Sequence, residues 1–273
     1  MSKRFLIPAL IALVVVVAVF AGCGSSSSSN QSADNNVKND DKTFVVGLDD
    51  SFPPMGFRDK NNEIVGFDVD LAKEVAKRLN MEPKFQVVNW DTKEMELDNN
   101  KVDCIWNGLT ITDERKKQMD FTKPYLENDQ VVVVKKDSSI KKIGDLQGKT
   151  VGCQKGSSAY DALMADAVSK QIKDGKPVEF DENVSCFQDL DSGRIDAMVV
   201  DSVVARYYIT ENKMNFNILS DSLSPEQYGV AVKKGNTELR DKIQNALDEM
   251  IKDGTAAKIS EKWFGSDIIY KAK

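Results

Sequence analysis

The chain of 273 residues contains no histidine. That absence removes the commonest general acid or base, every Ser-His-Asp or Cys-His nucleophile system, and all but cysteine and carboxylate ligands for a metal. Basic residues are also in deficit: 37 Lys plus Arg face 43 Asp plus Glu, for a formal net charge of −6. A nucleic-acid partner needs a basic face that displaces counterions from phosphates, so none is expected. No Gly-rich phosphate-binding loop is present, and neither a cofactor nor a metal is expected. With 41% hydrophobic and 29% charged residues, what remains is ordinary globular material, long enough for one large or two small domains.

Met1–Arg4 carries two positive charges, and the apolar run from Phe5 to Ala21 ends at Gly22-Cys23. This pattern reads as a secretory signal over residues 1–22; Pro8 and a length below the roughly 20 residues that span a bilayer disfavour a permanent membrane helix. Phe20-Ala21-Gly22-Cys23 resembles the lipobox of bacterial lipoproteins, with Phe20 where Leu is usual, which implies lipidation of Cys23. Residues 23–41 then form a polar tether too poor in apolar groups to order itself. Cys104, Cys153 and Cys186 remain, and an odd count leaves at least one free thiol. Cys104 and Cys153 lie in apolar strand contexts and read as small buried hydrophobes.

From Lys42 onward, short β-branched runs alternate with helical patterns, the mark of an α/β fold with mainly parallel sheets. Strands are expected at Thr43–Leu48, Val102–Trp106, Val131–Val134, Thr150–Cys153, Val178–Phe180, Ala197–Val200 and Gln227–Val232. Helical spacing marks Asp68–Leu79, Ala159–Ala167 and a helix capped by Thr237 whose Leu239, Ile243, Leu247 and Met250 share one face. Leu97-Asp98-Asn99-Asn100-Lys101-Val102-Asp103 is echoed by Leu190-Asp191-Ser192-Gly193-Arg194-Ile195-Asp196, and Lys42-Thr43 more weakly by Lys149-Thr150. Such echoes predict two domains on one plan. The segment after residue 220 has no place in the second, so the chain returns to the first. Residues 42–124 plus 229–273 then form domain 1, residues 130–223 domain 2, and residues 125–129 with 224–228 a two-segment hinge around a ligand cleft.

In open α/β sheets ligands sit beyond the carboxyl ends of strands. Those ends carry Asp49, Asp50 and Phe52, then Asn107 to Thr110, Gln154 to Ser158, and Asp201. Thr112 reads as the N-cap of a helix whose first turn holds Arg115, a place unfavourable to a cation unless an anion binds there; a solvated basic patch with Lys116 and Lys117 is the plainer alternative. The Gly156-Ser157-Ser158 helix start offers free N–H groups, and Asp201 is either a cap or a ligand partner.

Four motifs, Val65-Gly66-Phe67-Asp68-Val69-Asp70-Leu71, Gly108-Leu109-Thr110-Ile111-Thr112-Asp113-Glu114-Arg115, Tyr228-Gly229-Val230-Ala231-Val232 and Lys262-Trp263-Phe264-Gly265, resemble the polar amino-acid substrate-binding proteins of bacterial ABC importers. That group includes glutamine-binding and lysine/arginine/ornithine-binding proteins, and the resemblance runs from Lys42 to Gly265. It implies a periplasmic-binding-protein-like type II fold. Arg115 would hold the ligand α-carboxylate and Asp201 its α-ammonium, with Gly108, Thr110, Ser157 and Ser158 adding polar contacts. Phe52 and Trp90 would flank the ligand side chain. Asp49, Asn107 and Gln154 would set selectivity, for a basic amino acid through Asp49 or for an amide through hydrogen bonds alone. The same resemblance implies a monomer held outside the cell membrane by its lipid, delivering an L-amino acid to a permease and ATPase. A dehydratase-like enzyme on the same scaffold and a sensory amino-acid receptor, which would continue past Lys273 into a membrane span, are the competing readings.

Overall fold

A computed structural model describes residues 42–271, which belong to one compact unit. The signal, Cys23 and the tether to residue 41 lie outside them. Two five-stranded sheets organise the unit. In the first, strands run in the order Glu82–Val87, Thr43–Leu48, Cys104–Ile105, Ala231–Lys233 and Met119–Phe121. The Thr43–Leu48 strand is parallel to both neighbours, whereas Ala231–Lys233 enters antiparallel from the far end of the chain. The second sheet runs Val178–Phe180, Val151–Gln154, Ala197–Asp201, Leu126–Lys135 and Phe216–Tyr228, parallel at its first three strands and antiparallel at the last two. Mixed sheets therefore replace the mainly parallel ones expected, because the chain crosses between the halves twice.

Most elements fall within a residue or two of expectation. The helix Phe67–Arg78 buries Phe67, Val69, Leu71, Ala72, Val75 and Ala76 against the first sheet. The helix expected to be capped by Thr237 is capped by Asn236, whose Oδ1 accepts from the Leu239 amide at 3.3 Å; Thr237 is its first helical residue. Val102–Trp106 shrinks to Cys104–Ile105, the two residues paired with Val46 and Gly47, although the Trp106 amide still donates to Gly47 O at 3.0 Å. The helix expected over Ala159–Ala167 is Ser158–Ala165, stopped by Asp166, which caps a following 3-10 turn. Gln227–Val232 is divided: Tyr228 ends the long strand of the second sheet, and Ala231 starts the short strand of the first.

The internal echo has a physical basis. Asp103 Oδ2 accepts from the Val45 amide at 2.7 Å, and Asp196 Oδ2 accepts from the Thr150 amide at 2.8 Å. In each sheet the repeated aspartate ties the loop before one inner strand to the start of its neighbour. The three cysteines described are buried and free. Among the described residues, no helix is long and apolar enough to cross a membrane.

The segments 125–129 and 224–228 lie side by side as the last rungs of an antiparallel ribbon, from Leu126 opposite Tyr228 to Gln130 opposite Ser224. Backbone bonds continue past the ribbon, Tyr125 N–H to Tyr228 O at 2.9 Å and Thr122 N–H to Val230 O at 2.9 Å. Both crossings are thus held together at the point where they join the first sheet.

Candidate ligand cleft

The four motifs meet in space. Asp70 Oδ2 accepts from the Trp263 indole at 2.8 Å and from Lys262 at 2.6 Å, while Phe264 packs edge-on against Phe67. Asp68, in the first turn of the same helix, reaches the other way. Its Oδ2 accepts from the Gly108 amide at 2.7 Å and from the Tyr125 hydroxyl at 2.9 Å, so a single carboxyl joins the site loop to the crossing. Gly108 has φ +59°, and a Cβ there would lie 2.7 Å from the Phe52 ring. Only glycine lets the backbone take this turn with Phe52 laid against it.

Arg115 follows Thr112, whose Oγ1 caps the helix Asp113–Gln118 by accepting from the Arg115 amide at 3.1 Å. The guanidinium is buried and folds back into the cleft, where it donates to Thr110 O at 2.9 Å and to Gly156 O, on the second sheet's side, at 3.3 Å. Both acceptors are neutral. Burial pushes the guanidinium's pKa down, opposed by the more distant carboxylates of Glu94, Asp161, Glu226 and Asp201. The solvated-patch alternative is excluded for Arg115, although Lys116 and Lys117 do point to solvent and pair with Asp113 and Glu114.

Asp201 ends its strand in the N-cap position of the helix Ser202–Thr210 but makes no side-chain cap bond. Its Oδ1 instead accepts from Asn128 Nδ2 at 2.9 Å and from the Tyr228 hydroxyl. Asn128 and Gln130 also donate to Glu226 Oε1, at 2.7 and 2.8 Å. Burial, then the nearby Glu226 charge, raise the Asp201 pKa well above the usual carboxylate range. The cleft therefore holds a buried cation whose direct partners are neutral carbonyls, and a buried acid held by Asn128 and Tyr228 beside a second acid, Glu226. A zwitterion would supply both missing charges.

Other expected residues divide into those that cross the cleft and those spent locally. Thr110 Oγ1 and Ser158 Oγ meet across it at 2.9 Å, and Gln130 Nε2 donates to Ser158 at 3.2 Å. Gln154 Nε2 donates to Asp49 Oδ2 at 2.7 Å, also from sheet to sheet. Ser157 is spent on its helix, accepting from the Tyr160 amide and donating to Gln154 O. Asn107 donates to Asp49 O at 3.1 Å and faces Gly56, so it braces two strand ends rather than opening into the cleft. Trp90 packs with Val45, Val88 and Leu97, in a different buried cluster from Phe52.

Sequence reasoning missed Lys93, Asn128, Gln130, Asn183 and Glu226. Asn183 donates to Gln154 Oε1 at 2.9 Å, and Lys93 is a fully buried cation three residues past Trp90. Each sits amid charged or polar neighbours, where spacing gives no sign of which side chain turns inward.

The model of the bacterial extracellular solute-binding proteins, family 3, matches residues 44–266. The L-cystine-binding protein TcyJ of Escherichia coli (strain K12) is 34% identical over 257 residues, covering 93% of this chain and 94% of its own. An ABC uptake transporter substrate-binding protein from Streptococcus pneumoniae, solved with bound histidine, superposes with a TM-score of 0.82 at 36% identity, covering 85% of this chain and 96% of that one. An ancestral arginine-binding protein bound to arginine gives 0.75 at 47% identity, covering 82% and 99%. These are binding proteins, not enzymes, which removes the dehydratase reading. With the mixed sheets, the doubled crossing and the cleft between them, the match places this chain among the bacterial extracellular solute-binding proteins of family 3.

Proposed function

We propose that the protein captures a polar L-amino acid between its two sheets and releases it to an ABC permease driven by an ATPase. The observation that carries this reading is the pair Arg115 and Asp201, both buried, the first in the opening turn of a helix with neutral carbonyl partners and the second at a strand end beside Glu226. A guanidinium grips a carboxylate through two parallel hydrogen bonds, and a carboxylate accepts from an ammonium, so the pair fixes the common part of any α-amino acid. Thr110 and Ser158, facing each other across the cleft, close beside that group. Domain 1 (residues 42–124 with 229–273) and domain 2 (residues 130–223) close about the ribbon at 125–129 and 224–228 when ligand fills the gap.

Asp49 and Gln154 set what lies beyond. With Gln154 donating to it, Asp49 favours an amide or other neutral polar side chain, and arginine or lysine where that bond gives way. The signal over residues 1–22, a lipid on Cys23 and the tether to residue 41 would hold the monomer outside the membrane; Cys23→Ser should move the protein from the membrane fraction to the medium, and an unchanged distribution refutes the anchor. Binding is tested by calorimetry and thermal shift with the twenty amino acids, ornithine and cystine. A ligand at a hundred times its Kd should stabilise the protein by about 2.7 kcal/mol. If none of them binds, the reading fails.

A further inference from the structure

Lys93 is more deeply buried than Arg115, with 2% of its surface exposed. It lies on the helix Lys93–Asp98 of the first sheet's side, and its ammonium donates to Trp90 O at 2.9 Å while sitting 4.9 Å from the centre of the Trp90 ring. It also reaches across the cleft to Gly156 O at 3.1 Å, the same oxygen that Arg115 approaches at 3.3 Å. Two cations on separate elements therefore converge on one carbonyl oxygen. Gly156 holds its place there because φ is +66° and a Cβ would lie 2.9 Å from the Asp91 backbone.

One paired carboxylate faces the two cations: Glu94, 27% exposed, holds an ion pair with Lys93 at 3.1 Å, while Asp91 is engaged by Lys155 at 2.8 Å and Arg115 repels. A lysine needed only to hold a carbonyl could be replaced by a neutral donor at lower cost, since burying a cation beside another opposes both.

We propose that Lys93 is the second cation of the carboxylate-holding end of the cleft, so that the ligand's carboxylate is shared between Arg115 and Lys93. The proposal rests on the amino-acid-binding reading above. Burial first and Arg115 second bring the Lys93 pKa down to about 8. A carboxylate arriving between the two cations raises it again, so binding near pH 8 draws a proton onto Lys93, up to about half a proton per ligand.

The test uses the full chain and the tightest binder among L-arginine, L-glutamine, L-histidine and L-cystine. Calorimetry at pH 8 in buffers of different ionisation enthalpy measures affinity and proton uptake for wild type, Lys93→Gln and Lys93→Arg, each first shown to unfold cooperatively. Lys93→Gln should weaken binding by about tenfold or more and lose the Lys93 share of uptake. Lys93→Arg keeps the charge without titrating, so it should hold affinity within about threefold and also lose that share. Uptake in Lys93→Gln equal to wild type, or unchanged affinity, overturns the proposal while leaving the receptor reading intact. Failure of wild type to bind any of the four overturns it together with that reading for those ligands.

Discussion

At one end of the cleft Arg115 and Lys93 donate to the backbone carbonyls of Thr110, Trp90 and Gly156, with Glu94 the one side-chain partner, of Lys93; at the other, Asp201 receives its bonds from the side chains of Asn128 and Tyr228. Backbone acceptors are fixed by the fold. Side-chain donors are not, and these two stand on the ribbon that joins the sheets. The cation end is thus set mainly by backbone, whereas the acid end is set by side chains on the ribbon between the sheets. A further contrast lies in redundancy: Glu226 shares Asn128 with Asp201 and is an alternative acceptor for an ammonium, while no lysine reproduces the two-pronged geometry of Arg115.

That contrast predicts unequal damage. Arg115→Ala removes an oriented, desolvated partner and should cost about 3–5 kcal/mol of binding free energy, enough to erase any ligand-induced thermal shift. Asp201→Asn keeps the shape and leaves Glu226 nearby, so about 1–3 kcal/mol is expected. Calorimetry with one bound amino acid measures both. A larger loss from Asp201→Asn would reverse the ranking of the two ends.

Much of the acid end escapes a sequence reading for the same reason. Arg115 is legible because a cation in a first helical turn is a misfit, and Asp201 because it ends an apolar strand. Their positions follow from local periodicity. Asn128, Gln130 and Glu226 belong to the ribbon Leu126–Lys135 with Phe216–Tyr228, where which face turns inward depends on a register set by pairing across more than ninety residues. Register of that range has no local signal. Trp90, an aromatic at a suggestive place, packs with the core behind Lys93. The Leu97–Asp103 echo, by contrast, is legible because each aspartate's bond is local to its sheet.

Asp68 joins the site loop at Gly108 to the crossing at Tyr125, which gives a pH test. Burial raises its pKa from the usual carboxylate range to about 7, partly opposed by the bonds from Gly108 and Tyr125. Its Oδ1 has no hydrogen-bond partner among the described residues, and the Trp106 indole favours the charged form from nearby without reaching bonding geometry. The folded state therefore keeps a proton that the unfolded state has lost above about pH 4. Stability from this group is fully present below that pH and is lost as pH rises through about 7. Between pH 5 and 7 wild type should lose about 2 kcal/mol relative to Asp68→Asn, measured by urea unfolding of the unliganded protein. Parallel profiles would show that Asp68 is already ionised at pH 5.

The smallest effect is expected at the far end, where Gln154 sits between Asp49, Asp181 O and Asn183. Its amide is one of the few donors on the Asp49 carboxylate; the others come from the Ser51 amide and hydroxyl on the same strand end. Burial raises the Asp49 pKa, and the Gln154 bond is among the forces that keep it charged. Gln154→Ala removes a neutral donor from a buried acid; a ligand amide can replace that hydrogen bond, whereas a cationic side chain supplies both the bond and the opposite charge. The ratio of L-arginine to L-glutamine affinity should rise about fivefold, near 1 kcal/mol, with Arg115 and Asp201 untouched. Equal losses for the two ligands would mean that Gln154 only holds the sheets together, and that selectivity is set by side chains other than Asp49.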